Sequence, residues 1–225
     1  MNQLAERLRL VRERIAQAAA SHGRTSDDLT LIVVSKFHPA QTVLDLVSLG
    51  VTNFGENRDQ EAKPKAAEVA MALAPDASPK WHFVGQLQSN KARSVLTYAE
   101  TIHSLDRQSL LNELTKIGQP AEVFIELNLT DDPGRGGVQP ENLERFADAV
   151  LAAGNLHLLG VMGVAALNRE AKFDFETILQ CSERLRALSP TSSFISAGMS
   201  ADFETAIGFG ATHLRIGAAI TGNRA

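Results

Sequence analysis

Leu31-Ile32-Val33-Val34-Ser35-Lys36-Phe37-His38-Pro39 decides the architecture of this chain. An unbroken branched and aliphatic run this short reads as a strand buried on both faces, as in a parallel sheet covered by helices. The same stretch rejects the main competing fold. An open doubly wound sheet that binds a dinucleotide carries a GxGxxG turn after its first strand. Here that turn is Ser35-Lys36-Phe37-His38-Pro39.

Working outward, strand and helix patterns alternate to both ends. Upstream, Leu4, Leu8, Val11 and Ile15 form a helical stripe ahead of the first strand. Downstream, a helix through Val43, Leu44 and Val47 ends at Gly50, a residue type that favours helix C-termini. Strands are expected at 51–54, 81–84, 101–104, 121–127, 156–162, 193–196 and 212–216. The intervening helices are expected at 57–73, 88–97, 107–117, 140–152, 172–188 and 200–208, with one last helical turn. Eight such units close a TIM-type (β/α)8 barrel, expected as a single domain over residues 1–225 with an extra N-terminal helix. Loops 74–80 and 130–140 are too short to link domains.

Composition narrows the function classes. The chain has 225 residues, 44% of them apolar, enough for a large core. A net charge of −4 argues against a nucleic-acid partner, since phosphate backbones reward surplus Lys and Arg. Cys181 is the single cysteine and falls on a helical apolar face with Ile178, Leu185 and Leu188, as a small buried hydrophobe. Charges from Glu6 to Arg14 interrupt any signal-peptide core, and no apolar run nears the ~18 residues of a membrane span. A soluble, cytoplasmic protein is expected, with no membrane partner. The six histidines are scattered without ligand spacing, which argues against a metal centre.

In such a barrel the functional groups sit where strands end at the C-terminal mouth. Lys36 ends a core strand there. Desolvation on several sides would free its amine to attack a carbonyl, as Schiff-base lysines require. The segment Ser196-Ala197-Gly198-Met199-Ser200-Ala201-Asp202 offers close backbone approach, and Ser200 is placed either to cap the next helix or to hold a phosphate. In Arg215-Ile216-Gly217-Ala218-Ala219, the backbone of Gly217 and Ala218 is suited to the same anion. Arg215 puts a permanent cation into the mouth, unless it pairs with a carboxylate such as Glu126.

Together these stretches resemble a known family. Val34-Ser35-Lys36, Phe54-Gly55-Glu56-Asn57-Arg58, Trp81-His82-Phe83-Val84-Gly85-Gln86-Leu87-Gln88-Ser89-Asn90-Lys91, His103-Ser104-Leu105-Asp106, Gly160-Val161-Met162, Gly198-Met199-Ser200-Ala201-Asp202-Phe203 and Arg215-Ile216-Gly217 run in the order of the YggS/PROSC family of pyridoxal 5′-phosphate (PLP) homeostasis proteins. The resemblance implies a barrel like the N-terminal domain of alanine racemase, without that enzyme's β-rich second domain. It implies a PLP Schiff base on Lys36, Arg215 facing the pyridine nitrogen, and the phosphate held by Ser200 with Gly217 and Ala218. Asn57, His82 and Met162 would line the cofactor at the mouth, although His82 also reads as a core histidine satisfied by a neighbour. The chain departs from the family at His38 and in the Asp131–Gly137 loop, where lysines are common; Arg135 keeps a positive charge there.

Two functions of different class follow. One is a monomeric, non-catalytic carrier and buffer that keeps PLP available and hands it to PLP-dependent apoenzymes. The other is an amino-acid racemase. Racemisation needs opposed acid/base groups on both substrate faces. Tyr98, the only tyrosine, is expected on an outer helix, so the residues favour the carrier. A direct Schiff-base aldolase of a sugar phosphate fits Lys36 but not the full motif set.

Overall fold

The computed structural model describes residues 3–130, 135–166 and 169–222. Eight parallel strands close into a barrel in sequence order: β1 (Thr30–Val34), β2 (Asn53–Glu56), β3 (Lys80–Phe83), β4 (Thr101–Leu105), β5 (Ala121–Glu126), β6 (Leu156–Met162), β7 (Phe194–Ser196) and β8 (His213–Ile216). The outer helices are α1 (Gln3–Ser21), α2 (Ala40–Ser48), α3 (Asp59–Ala72), α4 (Ala92–Val95), α5 (Gln108–Ile117), α6 (Leu143–Leu151), α7 (Ala171–Leu188), α8 (Phe203–Gly208) and α9 (Ala218–Thr221). Among the described residues, no helix is long and apolar enough to cross a membrane.

Most of the apolar core lies between strands and helices, in side chains such as Val33, Phe54, Val123, Val161, Leu214 and Ile216. Cys181 belongs to this layer and is buried on α7. Strand residues of the other phase point into the lumen, because successive side chains alternate across a strand.

The extra helix α1 completes the outer ring. The turn of helix after β8, α9, is too short to cover that strand, and α1 packs against both α8 and α9. Its arginines fix the fit. Arg7 donates to the carbonyls of Ile220 and Thr221, Arg12 to those of Leu49 and Gly50, and Arg14 pairs with Glu204. Their stems cover apolar surface while their heads satisfy carbonyls that short helices leave open.

Several element boundaries differ from those expected. The second strand runs from Asn53 to Glu56 and not over 51–54. Arg58 is extended (φ −139°), so α3 starts at Asp59 rather than residue 57. The expected helix 88–97 opens as a 3-10 turn, Ser89–Lys91, leaving α4 only Ala92–Val95.

Candidate functional site

Lys36 lies in the turn directly after β1 and is exposed, not desolvated on several sides as its place after a core strand implied. The chain leaves the strand sharply, and the next residue, Phe37, has φ +68°. A bulky residue in the left-handed region costs of order 1–3 kcal/mol and persists only where its surroundings enforce it. Here a buried cluster beneath the turn does so. Lys65, from α3, donates from Nζ to the carbonyl of Ser35 at 2.9 Å and to Glu56 Oε1 at 2.6 Å. Ser35 Oγ donates to the same carboxylate oxygen at 2.7 Å. The Arg58 guanidinium lies 5.3 Å over the Phe37 ring. Burial pushes the Glu56 carboxyl upward, against the opposing pull of Lys65 and Ser35. The residue preceding the lysine is therefore tied to two elements at once, a feature the sequence reading missed.

Asn57 follows β2, and its Oδ1 is buried without a hydrogen-bond partner. A Cβ on Gly85 would meet the Asn57 carbonyl oxygen at 2.3 Å, so the loops after β2 and β3 touch only because residue 85 is glycine. This close approach is the physical link between the two longest motifs.

The loop after β7 is bent at Gly198 (φ +91°), where a Cβ would lie 2.9 Å from Phe203 Cα. The helix that follows begins at Phe203 with Asp202 as its N-cap residue, and Asp202 Oδ1 accepts the N–H of Met199. Ser200 is therefore not the helix cap. Its Oγ accepts the N–H of Ala219 at 3.3 Å, which joins the loop after β7 to the start of α9. Ser200, Gly217 and Ala218 are brought together by that bond.

Arg215 points into the lumen from β8 and is only 5% exposed. Ile32 of β1 is its register partner, so the strand that carries the arginine adjoins the one that leads to Lys36. Its Nη2 donates to the Gly163 carbonyl at 3.0 Å and its Nη1 to Ser196 Oγ. Among the described residues no carboxylate lies within ion-pair distance of it, so the alternative pairing with Glu126 does not form. Burial lowers its pKa to about 10, which keeps it cationic at neutral pH. Glu126 lies half-buried at the end of β5. Burial, with the Asp106 charge, pushes its carboxyl up to about 7, against nearby Arg215.

His82 and Met162 lie deeper than the expected mouth positions suggested. Both ring nitrogens of His82 are engaged, Nδ1 with His103 Nε2 at 3.0 Å and Nε2 with Asn53 Oδ1 at 2.9 Å. Met162 is fully buried against Phe124 and Leu159. His103 stacks on Phe124 with centroids 4.6 Å apart, and His213 approaches both rings. Three of the scattered histidines thus converge inside the barrel. Tyr98 lies in the turn after α4, ahead of β4 and thus at the opposite end of the barrel from the mouth. Of the loop containing Arg135, residues 131–134 lie outside the described ones; Arg135 itself reaches the Val164 carbonyl.

Comparison with known proteins agrees with this fold. Residues 3–225 match the family model of the alanine racemase N-terminal domain. The pyridoxal phosphate homeostasis protein of Mycobacterium leprae is 36% identical over 238 residues, spanning 98% of this chain and 93% of that protein. PipY of Synechococcus elongatus PCC7942, solved with PLP bound, superposes with a TM-score of 0.82 at 30% identity, covering 97% of this chain and 100% of that one. Alanine racemase of Corynebacterium glutamicum shares the fold at a TM-score of 0.70 and 14% identity, with 99% of this chain but 61% of the racemase covered. The chain belongs to the family of the pyridoxal phosphate homeostasis proteins, built on the barrel of the alanine racemase N-terminal domain.

Proposed function

We propose that this chain binds PLP at the barrel mouth and serves its homeostasis as a carrier and buffer, the cofactor being held as a Schiff base on Lys36. The observation that carries the reading is the buried Arg215 cation, without a carboxylate partner among the described residues, on the strand adjoining the one that leads to Lys36. A pyridine nitrogen opposite it accepts a hydrogen bond and stays unprotonated, because a guanidinium donates but does not give up its proton at neutral pH. Ser200 and the backbone N–H groups of Gly217 and Ala218 hold the phosphate. Asn57 Oδ1, buried and unpartnered, supplies a polar contact to the ring substituents, and Met162 with Phe124 closes the pocket below. Bound PLP contributes an aldehyde that the lysine amine captures with loss of water.

A carrier fits better than a racemase for a specific reason. With the ring nitrogen unprotonated the cofactor is a weak electron sink, and Tyr98 is at the wrong end of the barrel to exchange a proton. The same reading takes the protein as monomeric and cytoplasmic, one PLP-binding barrel whose partners are PLP and the apoenzymes it supplies. Absorbance of the purified protein with PLP, before and after borohydride, tests it. A visible band fixed by reduction onto Lys36, and absent in Lys36→Ala, is expected. Addition of L-alanine should leave the stereochemistry of the free amino acid unchanged. A wild type without the band refutes the cofactor, and rapid racemisation refutes the carrier.

A further inference from the structure

We infer that Arg215 is aimed by a one-way chain of side-chain hydrogen bonds through the lumen, Arg215–Ser196–His103–His82–Asn53, which makes Ser196 and His103 positioning residues for the pyridine nitrogen. The inference deepens the reading of Arg215 given above and rests on it.

The direction of the chain follows from its two ends. A guanidinium has donors only, so Ser196 Oγ accepts from Arg215. At the far end, Asn53 uses its amide nitrogen to donate to Thr52 Oγ1 at 3.0 Å, which turns Oδ1 toward His82 as an acceptor. His82 therefore carries its proton on Nε2. Its bare Nδ1 takes the proton of His103 Nε2–H at 3.0 Å. His103 then has a bare Nδ1, which accepts the Ser196 hydroxyl at 2.8 Å. Every donor along the chain points away from the arginine, and every link is filled once.

Such an assignment requires both imidazoles to be neutral. Burial favours this, lowering His82 to about 3 and His103 well below its usual value. The other charged or titratable groups acting on the chain include His213 on β8, Glu126 on β5, Asp202 in the loop after β7 and Lys80 at the foot of β3. His213 is likewise held low by burial, to about 4. Aligned bonds polarise one another, and each presents its electron-rich side toward the arginine. Within the lumen this alignment, together with the Gly163 carbonyl, takes the place of the carboxylate that Arg215 lacks. A guanidinium so fixed cannot swing toward Glu126.

Two measurements test the proposal. Imidazole 15N spectra of the cofactor-free wild type should show His82 and His103 both neutral, with Nε2 protonated and Nδ1 bare, from about pH 8 to about pH 5. A proton on Nδ1 of either ring overturns the direction. With PLP added, Ser196→Ala should weaken binding roughly tenfold, the loss of one hydrogen bond to a charged group. It should also move the pH at which the visible band interconverts. Ser196→Thr keeps the hydroxyl and should restore both values, while His103→Leu should shift them less and Asn53→Leu least. If all these variants lose thermal stability but bind and titrate as wild type, the residues are structural only and the proposal fails. A wild type that never forms the band removes the PLP reading instead, and the nitrogen spectra then decide the chain's direction alone.

Discussion

The two faces of the barrel strands are built on opposite principles. Toward the helices the sheet is apolar, filled by Val33, Phe54, Val123, Val161, Leu214 and Ile216. Toward the axis it carries His82, His103, Ser196, His213 and Arg215, all without direct carboxylate partners among the described residues. The outer face follows the ordinary rule that burial of apolar area drives folding. The inner face mixes apolar Phe124 and Met162 with polar side chains joined by hydrogen bonds. The proposed function gives the difference a reason: the shell holds the barrel together, while the lumen presents the Arg215 cation upward. One of the polar clusters that interrupt the shell, the Glu56–Lys65 pair, lies directly under the turn of Lys36.

Mutations that exchange these principles should separate them. The largest effect is expected for Lys65→Met, which strands the Glu56 carboxylate in the shell. About 3–5 kcal/mol of stability should be lost near neutral pH, as when one partner of a buried pair is removed. Denaturant unfolding measures it, and adding Glu56→Gln should recover much of the loss. A loss under 1 kcal/mol would mean that the pair is not a structural tie beneath Lys36.

Next in size is Leu214→Ala, on the shell side of β8 and fully buried. Cavity formation should cost about 2–5 kcal/mol. Because its side chain faces away from the lumen, the folded variant should form the PLP band with wild-type position and pH dependence. A shifted band would show that shell and lumen are coupled through the strand backbone.

The smallest effect is expected for Glu126→Gln, and its sign depends on pH. The carboxyl is raised in the folded protein to about 7. Its neutral form thus contributes stability that is full below the ordinary carboxylate pKa and is lost as pH climbs through about 7. Glutamine stays neutral throughout. Thermal melts should therefore show the variant equal to wild type near pH 4 and more stable, by on the order of 1 kcal/mol, above pH 8. Equal melts at both pH values would mean that the charged form is solvated after all.

The shell was largely legible in the sequence because its signal is local. Each strand announces itself by a short aliphatic run and each helix by a three-four spacing, so the eight units and the extra helix emerge by reading in order. Errors fell where one side chain outcompetes another. Ser200 reads as an N-cap, yet Asp202 two residues later takes that place, and the serine is released to the loop of β8. Lys36 was singled out by its position after a strand, but strand position carries no information about exposure, which depends on how the turn folds back. The lumen was the least legible part. His82, His103 and His213 lie far apart in sequence and become neighbours only when the barrel closes. Their shared trace is a histidine in the lumen-facing phase of three different strands, visible once the phase is known and silent before it.

The packing of α1 against α8 and α9 has a consequence for the order of events at the ribosome. Arg7 finds its carbonyl acceptors 213 and 214 residues later, and β1 finds its second neighbour only in β8. Contacts of such separation form late, after the loop entropy between them has been overcome. Lys36 and Arg215 stand on either side of that same seam. Under the proposed function, a nascent chain displays Lys36 long before Arg215 exists to receive the ring, and the two meet only as the last strand locks in. Cofactor capture at full affinity would then report the completed barrel, a chemical certificate of folding carried by the final joint of the structure.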